Sequence, residues 1–219
     1  MRVTDMNGMG RIVVIDSTLF ESYYRDRKNG MNFDPDAKWG YRAMDDSWVF
    51  GYKLHIACDA ESELPLAYTV TPANVHDSTQ YLSLLADLRA LGIEPKVVVA
   101  DKGYDSKANI LTTIDRYNAA PIIAMNRRRA KKKERDFEKN LPIKRDSKIW
   151  KDLYKERSSV ERIFSRLQNE TDMEEVTVRG LENVKIHVTL SMIAMLVVAL
   201  VALMTGNEDR SRRIKSFRY

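Results

Sequence analysis

Two acids in this chain each end a short apolar, β-branched run: Asp16 closes "RIVVID" and Asp101 closes "PKVVVAD". A third, Glu161, lies inside "YKERSSVERIFSRLQ", residues 154–168. If the two runs are neighbouring strands of one mixed sheet, Asp16 and Asp101 meet at one edge. A late helix packed on that sheet then brings Glu161 toward the same point. Carboxylates held this close repel and need a counter-charge. Their hard oxygens suit Mg²⁺, with Mn²⁺ able to substitute. Two such ions about 4 Å apart activate water on one side and stabilise a leaving oxygen on the other. Taken singly, each acid also has an ordinary use. Asp16 before Ser17 and Thr18 suits a loop entry, Asp101 before Lys102 and Gly103 suits a tight turn, and Asp105 before Ser106 suits a helix cap. Their joint placement favours the metal site.

The segment around Glu161 has chemistry beyond packing. At ~100° per residue, Tyr154, Arg157, Glu161 and Gln168 fall within an arc of roughly 60°. That arc lies beside an apolar stripe of Leu153, Val160, Ile163, Phe164 and Leu167. A solvated Arg–Glu pair at i, i+4 is the plain reading. A phenol, a guanidinium and a carboxylate aligned at the rim of a core is the chemical one.

The elements that must position these groups follow from periodicity. After the strand at 11–16 comes a polar, aromatic stretch broken by Gly30, Pro35 and Gly40, an irregular insertion through residue 47. "SWVFGYKLHIACD" and "LPLAYTVTP" form a hairpin around "DAESE". "HDSTQYLSLLADLRALG" is a helix with Asp77 as N-cap, Gln80 three residues on and Gly92 as C-cap. "PKVVVAD" is a strand, "SKANILTTIDRYN" a helix and "APIIAM" a buried strand. A basic insertion over 127–150 precedes the Glu161 helix, and a long apolar helix ends the series. This is the element order of a ribonuclease H-like α/β fold, a mixed sheet flanked by helices. The order alone does not assign a function.

Composition bounds the class. The 219 residues, 44% apolar and 31% charged, describe a globular chain rather than a disordered one. The single cysteine, Cys58, excludes an internal disulfide framework and fits the cytoplasm, and its apolar context predicts a buried structural thiol. The opening "MRVTDMNGMG" has no apolar h-region, so no signal peptide is expected. The net charge of +5 points to a polyanionic partner, above all through "RRRAKKKER" at 127–135. Arg127, Arg128, Arg129, Lys131, Lys132 and Lys133 are the expected DNA contacts in that run. The uncharged segment from Val188 to Met204 is of borderline length for a membrane span and is read as a fully buried helix, with no membrane partner.

Four blocks carry a resemblance: "VIDST", "VTPANVHDS", "VVADKGYDS" and "YKERSSVERIFSRLQ". Together, over about residues 11 to 205, they resemble a DDE transposase of prokaryotic insertion sequences. The family's third block follows Tyr-x2-Arg-x3-Glu-x6-Lys. Tyr154, Arg157 and Glu161 match it, and Gln168 stands where the pattern has Lys, with Arg166 two residues away. The resemblance implies catalytic, metal-binding Asp16, Asp101 and Glu161, probing of DNA by Tyr154, Arg157, Arg166, Gln168 and Lys102, two Mg²⁺ ions, and a homodimer on DNA. It also implies a lead-in over 1–10, a catalytic domain over 11–205 and a basic tail over 206–219. Family members usually carry an end-recognition domain before the first catalytic strand, so this chain reads as a catalytic core without one. The alternatives are an impaired or truncated relic that only binds DNA, and a ribonuclease H-like nuclease or resolvase without strand transfer.

Overall fold

The computed structural model describes residues 8–23, 34–43, 45–126 and 135–214. The expected DNA contacts Arg127, Arg128, Arg129, Lys131, Lys132 and Lys133 lie outside the described residues. The strands are β1 (Ile12–Glu21), β2 (Lys38–Arg42), β3 (Ser47–Asp59), β4 (Pro65–Pro72), β5 (Val97–Ala100) and β6 (Ala120–Ile123). The helices are α1 (Asp77–Ala90), α2 (Lys107–Tyr117), α3 (Lys148–Tyr154), α4 (Ser158–Glu170) and α5 (Leu181–Met204).

The sheet runs β2-β3-β1-β5-β6, and β4 also pairs with β3. The 13-residue β3 makes this possible by sharing one edge between two partners. Ser47 to Gly51 pair with β2, and Tyr52 to Cys58 pair with β4. β1 pairs antiparallel with β3 on one side and parallel with β5 on the other. The parallel strand β5, "VVVA", is apolar on both faces because helices cover both sides of it. Along β1, successive side chains alternate faces. Val13 and Ile15 join Tyr81, Leu84, Leu85 and Leu88 of α1 and Ile110 of α2. Val14 joins Trp150 of α3, Val160, Ile163 and Leu167 of α4, and Val188 and Met192 of α5. The result is the expected helix-flanked mixed α/β sheet.

Four expectations need correction. β1 does not stop at Asp16; pairing with β3 carries it to Glu21, opposite Gly51. The stretch taken as an irregular insertion contains β2, whose Gly40 and Tyr41 pair with Val49 and Trp48. The residues from Tyr154 to Gln168 are helical as expected but not uniformly α: a tighter 3₁₀ turn, Lys155–Arg157, joins α3 to α4. Finally, α5 is not fully buried. One face, including Val184, Val188, Met192, Met195 and Ala199, packs inward. The opposite ridge exposes Ile186, Leu190, Ile193, Leu196, Leu200 and Met204. A helix that is apolar all round satisfies only one of its faces against a sheet edge and a single neighbouring helix. By length and composition α5 is also the one described helix able to cross a membrane.

The turn between β3 and β4 locks α4 onto the sheet. Glu63, buried and at φ 55°, accepts Arg162 Nε at 2.6 Å and pairs with Arg166 at 3.3 Å and Arg212 at 3.1 Å. The Arg166 guanidinium also donates to the Glu63 carbonyl at 2.8 Å. Arg162 and Arg212 are half in solvent, whereas Arg166 is buried and depends on Glu63 for its counter-charge. Removing one partner of a buried pair strands the other charge. Glu63→Gln should therefore cost about 2–3 kcal/mol in urea denaturation. Denaturation midpoints equal to the wild type would show that Arg166 has another means of compensation.

Candidate functional site

The site begins with strand register. β5 is four residues long, and its last pairing on β1 is Ala100 with Ile15. Asp16 and Asp101 each follow by one residue, so both acids emerge where the parallel pair ends. Asp16 projects to the α4 face, two residues after Val14. Asp101 turns the chain out of β5 and caps the 3₁₀ turn Lys102–Tyr104, accepting from the Gly103 amide at 2.6 Å. A Cβ at Gly103 would lie 2.8 Å from Asp101 Oδ1, so a side chain there would push that carboxylate aside.

Asp16, Asp101 and Glu161 line one cavity of about 520 Å³, together with Ser17, Lys53, Asp77, Arg157 and Gln168. The two aspartates are strained electrostatically. Burial, then the neighbouring Asp101, raises the Asp16 carboxyl to about 7, against a partial offset from the Ser17 amide and Arg157. Asp101 is also raised, first by burial and then by Asp77 among the neighbouring charges.

Arg157 bridges the elements. One guanidinium nitrogen donates to Asp16 Oδ2 at 3.1 Å and the other to Glu161 Oε1 at 2.5 Å. This places a cation between two of the three acids, so the expected convergence is only partly met. The three carboxylates share the cavity, but among the described residues no three acids form a group able to hold a metal ion. Glu161 is turned toward Arg157, its neighbour one helical turn earlier. The donor set is nonetheless all carboxylate oxygen, and the raised Asp16 and Asp101 mark a place where added positive charge is favourable.

The other expected contacts divide. Lys102 is exposed beside Asp101. Gln168 lines the cavity and donates to Glu174 Oε1 at 2.6 Å. Tyr154 is half-buried, stacked on Trp150 at 4.8 Å between ring centres, and stands close enough to Arg157, Asp101, Asp16 and Glu161 to feel their charges. Arg166 is a correction: it is buried against Glu63, on the side of α4 facing the β3–β4 turn, and cannot reach DNA at the cavity. Cys58 is buried, and burial pushes its thiol up to about 12, so it is structural as expected.

One site residue escaped the sequence reading. Asp77 was expected to cap α1, but the N-cap is His76, and Asp77 points back into the cavity. Its Oδ1 accepts Ser17 Oγ and Lys53 Nζ, each at 2.9 Å. Lys53 is held further by the Val75 carbonyl at 2.9 Å. Beneath them His55 is fully buried, bonded through Nε2 to Thr71 at 3.0 Å, and burial holds it neutral with its pKa near 4. A helix-start acid following "VTPANVH" satisfies the capping rule whether or not it caps, so local sequence could not separate the roles.

Asp105, four residues beyond Asp101, organises the flanks of the basic run. It accepts both Arg135 nitrogens, at 2.7 and 2.9 Å, and the Asn126 amide at 2.8 Å. The residues just before and just after 127–134 are thus tied to one buried carboxylate. Ser106, not Asp105, caps α2.

A family model described as the transposase DDE domain matches residues 7–197. A Burkholderia cepacia protein assigned as the transposase for insertion sequence element IS402 is 42% identical over 84 residues, which is 35% of this chain and 39% of that protein. The chain thus spans well under half the length of that curated relative. Among solved structures, a Mos1 transposase paired-end complex with the left transposon end aligns with 74% of this chain and 56% of its own, at 12% identity and TM-score 0.32. A Mos1 strand transfer complex aligns with 74% and 48%, at 14% identity and TM-score 0.31. Both superpositions are loose, and the family match alone carries the relationship.

The charge balance has a consequence for stability. Asp16 binds its proton more tightly folded than unfolded, so its contribution is fully present below about pH 4 and is lost as pH rises through about 7. Asp16→Asn should therefore stabilise the protein at pH 8, by on the order of 2 kcal/mol after loss of the Arg157 pair, and by almost nothing at pH 4. Thermal unfolding of the two proteins across pH 4–8 checks this, and a variant less stable than the wild type at pH 8 would refute it.

Proposed function

The chain belongs to the transposase DDE domain family, and on that premise we propose that it cuts DNA at the ends of a mobile element and joins the freed end to target DNA. The observation that supports this reading best is the pair of acids, Asp16 and Asp101, crowded at the end of a parallel strand pair, with Arg157 held between Asp16 and Glu161. In this reading residues 11–205 form the catalytic domain. The protein acts in the cytoplasm as a homodimer on paired DNA ends, without a membrane partner.

Asp16, Asp101 and Glu161 would hold two Mg²⁺ ions, replaceable by Mn²⁺, which would supply positive charge to the scissile phosphodiester and lower the pKa of attacking water. The chain's own groups do the rest. Arg157 leaves its carboxylate partners to hold the scissile phosphate, a geometry a planar guanidinium matches with two parallel hydrogen bonds. Lys53, pinned by Asp77 and the Val75 carbonyl, keeps one positive charge fixed at the cavity wall. Lys102 and Gln168 contact the strand on either side, with Tyr154 at the turn that aims Arg157. The basic residues at 127–133 add phosphate contacts that hold DNA without reading its sequence. Water attacks the phosphodiester in the first step, and the 3′-hydroxyl it frees attacks target DNA in the second.

The test pairs binding with cleavage on DNA carrying the element's terminal repeats. Glu161→Gln should abolish Mn²⁺-dependent nicking and leave gel-shift affinity nearly unchanged. Arg157→Ala should slow nicking about 100-fold, because a phosphate misplaced by about 1 Å loses that much rate, while binding weakens far less. A wild-type protein that binds these ends and never cuts them would make it a DNA-binding relic.

A further inference from the structure

The cavity does not end at its acids. Tyr41 and Arg42 of β2 line it together with Arg157 and Glu161. From Tyr41 an aromatic surface continues outward along the hairpin of β2 and β3. Trp39 faces Phe50 across the two strands with ring centres 5.3 Å apart, and Tyr41 faces Trp48 at 5.5 Å. These four residues alternate with Gly40 and Val49, so all four rings stand on one face. It is the face on which β3 also carries Tyr52 and Leu54 toward α4 and α5, and therefore the face of Asp16 and Glu161. Trp39 is 60% exposed, Tyr41 50% and Trp48 65%.

Large aromatic rings in water need a reason, since a scattered exposed side chain is ordinary but a contiguous ladder is not. The hairpin is firmly seated, so the ladder is a fixed surface. Val49 packs with Leu19 and Ala73 on the far face. Gly40 approaches so closely that a Cβ would lie 2.6 Å from the Ala73 carbonyl oxygen. Arg42 donates to the Leu19 carbonyl at 3.2 Å.

We propose that this ladder is a stacking platform for unpaired DNA bases at the mouth of the catalytic cavity. Three features select that occupant. The surface is continuous with a cavity proposed to receive a DNA strand, so a strand passing through must cross it. Its chemistry is aromatic, and every base offers a π-face to an aromatic ring whatever its sequence. The turn beyond the rings carries Asp45, paired with Arg42 at 3.6 Å, and Asp46, which accepts the Tyr41 hydroxyl at 2.6 Å. Those acids disfavour phosphate at the tip, and a duplex has no base faces to offer the rings because its bases are stacked on one another, whereas unpaired bases present neutral faces. The exposed aliphatic ridge of α5 has a different chemistry and offers no such faces. The proposal rests on the DNA-processing reading for the strand's arrival, and it adds that the strand arrives with bases unpaired.

The chain's three tryptophans make the test direct. Trp150 is buried, so iodide-accessible emission comes from Trp39 and Trp48. The full-length Glu161→Gln protein is titrated with a 12-nucleotide oligothymidylate, a blunt duplex, and the same duplex with a short single-stranded end. Expected are quenching and protection from iodide by the first and third ligands, with little effect from the blunt duplex. Trp48→Ala should weaken oligothymidylate binding roughly 10-fold or more, and Trp48→Phe should retain most of it. Circular dichroism confirms that both variants are folded. Equal protection by blunt duplex, or unchanged affinity in Trp48→Ala, overturns the platform. So does iodide protection that appears with rising protein concentration alone, which would mean that a second copy covers the face. The failures are separable: a wild type that never nicks DNA while its tryptophans respond to unpaired bases sinks the enzyme and keeps the platform. Nicking with silent tryptophans does the reverse.

Discussion

Two carboxylates that repel each other are held side by side at the end of a pair of parallel strands, and the rest of the fold is what holds them there. Neither acid chose its place by local preference. The pairing of Ile15 with Ala100 brings Asp16 and Asp101 to the same level, and β1 cannot slide because nine of its residues are registered against β3 on the other side. A slip of one residue would send Asp16 to the α1 face and Ile15 into the cavity, reversing both hydrophobic layers at once. The two cores, one on each face, are therefore what enforce the crowding. Burial then raises both carboxyls, and at Asp16 the neighbouring Asp101 adds to the effect.

The same logic explains what could be read from the sequence. Asp16 and Asp101 were legible because each follows a short apolar run, and a strand-end acid keeps its position whatever its neighbours are. The stripe of Val160, Ile163, Phe164 and Leu167 was legible because helical periodicity is local, and it put Glu161 on the correct side. Arg157 and Glu161 at i, i+4 formed the pair their spacing allows. What failed depended on distant partners. Arg166 looked like a free cation beside the motif because its counter-charge, Glu63, stands 103 positions away in a turn. Asp77 looked like a cap because cap and cavity acid share one local signature. β2 was hidden in a polar stretch because its pairing exists only through the upper half of β3. The apolar run at 188–204 was correctly a helix, but composition cannot distinguish a helix enclosed on all sides from one covered on a single face.

The division of labour within "YKERSSVERIFSRLQ" also becomes clear. The 3₁₀ turn between α3 and α4 places Arg157 at the junction, where its side chain reaches back to the sheet and forward along α4. Tyr154 stacks on Trp150 and stays within electrostatic reach of Arg157, Asp101, Asp16 and Glu161. The guanidinium is held by Asp16 and Glu161 together, and the phenol stands beside all three.

Where the chain spends its arginines decides where its negative charge is left. Buried Glu63 takes three of them, and buried Asp105 takes Arg135 in both nitrogens with Arg145 at 3.9 Å. Buried Asp59 is satisfied by the Gly10 and Ser62 amides and the Ser62 hydroxyl. Asp77 has Lys53 and Ser17. Asp16, by contrast, accepts the Ser17 amide and shares its one guanidinium with Glu161, and Asp101 accepts a single amide from Gly103. A fold able to neutralise Glu63 threefold has not neutralised the acids of its cavity, although arginine reaches them by the same means. Such local under-compensation costs stability and has no packing advantage. It leaves Asp16 and Asp101 less compensated than the other buried acids described, in the cavity whose wall they share with Glu161.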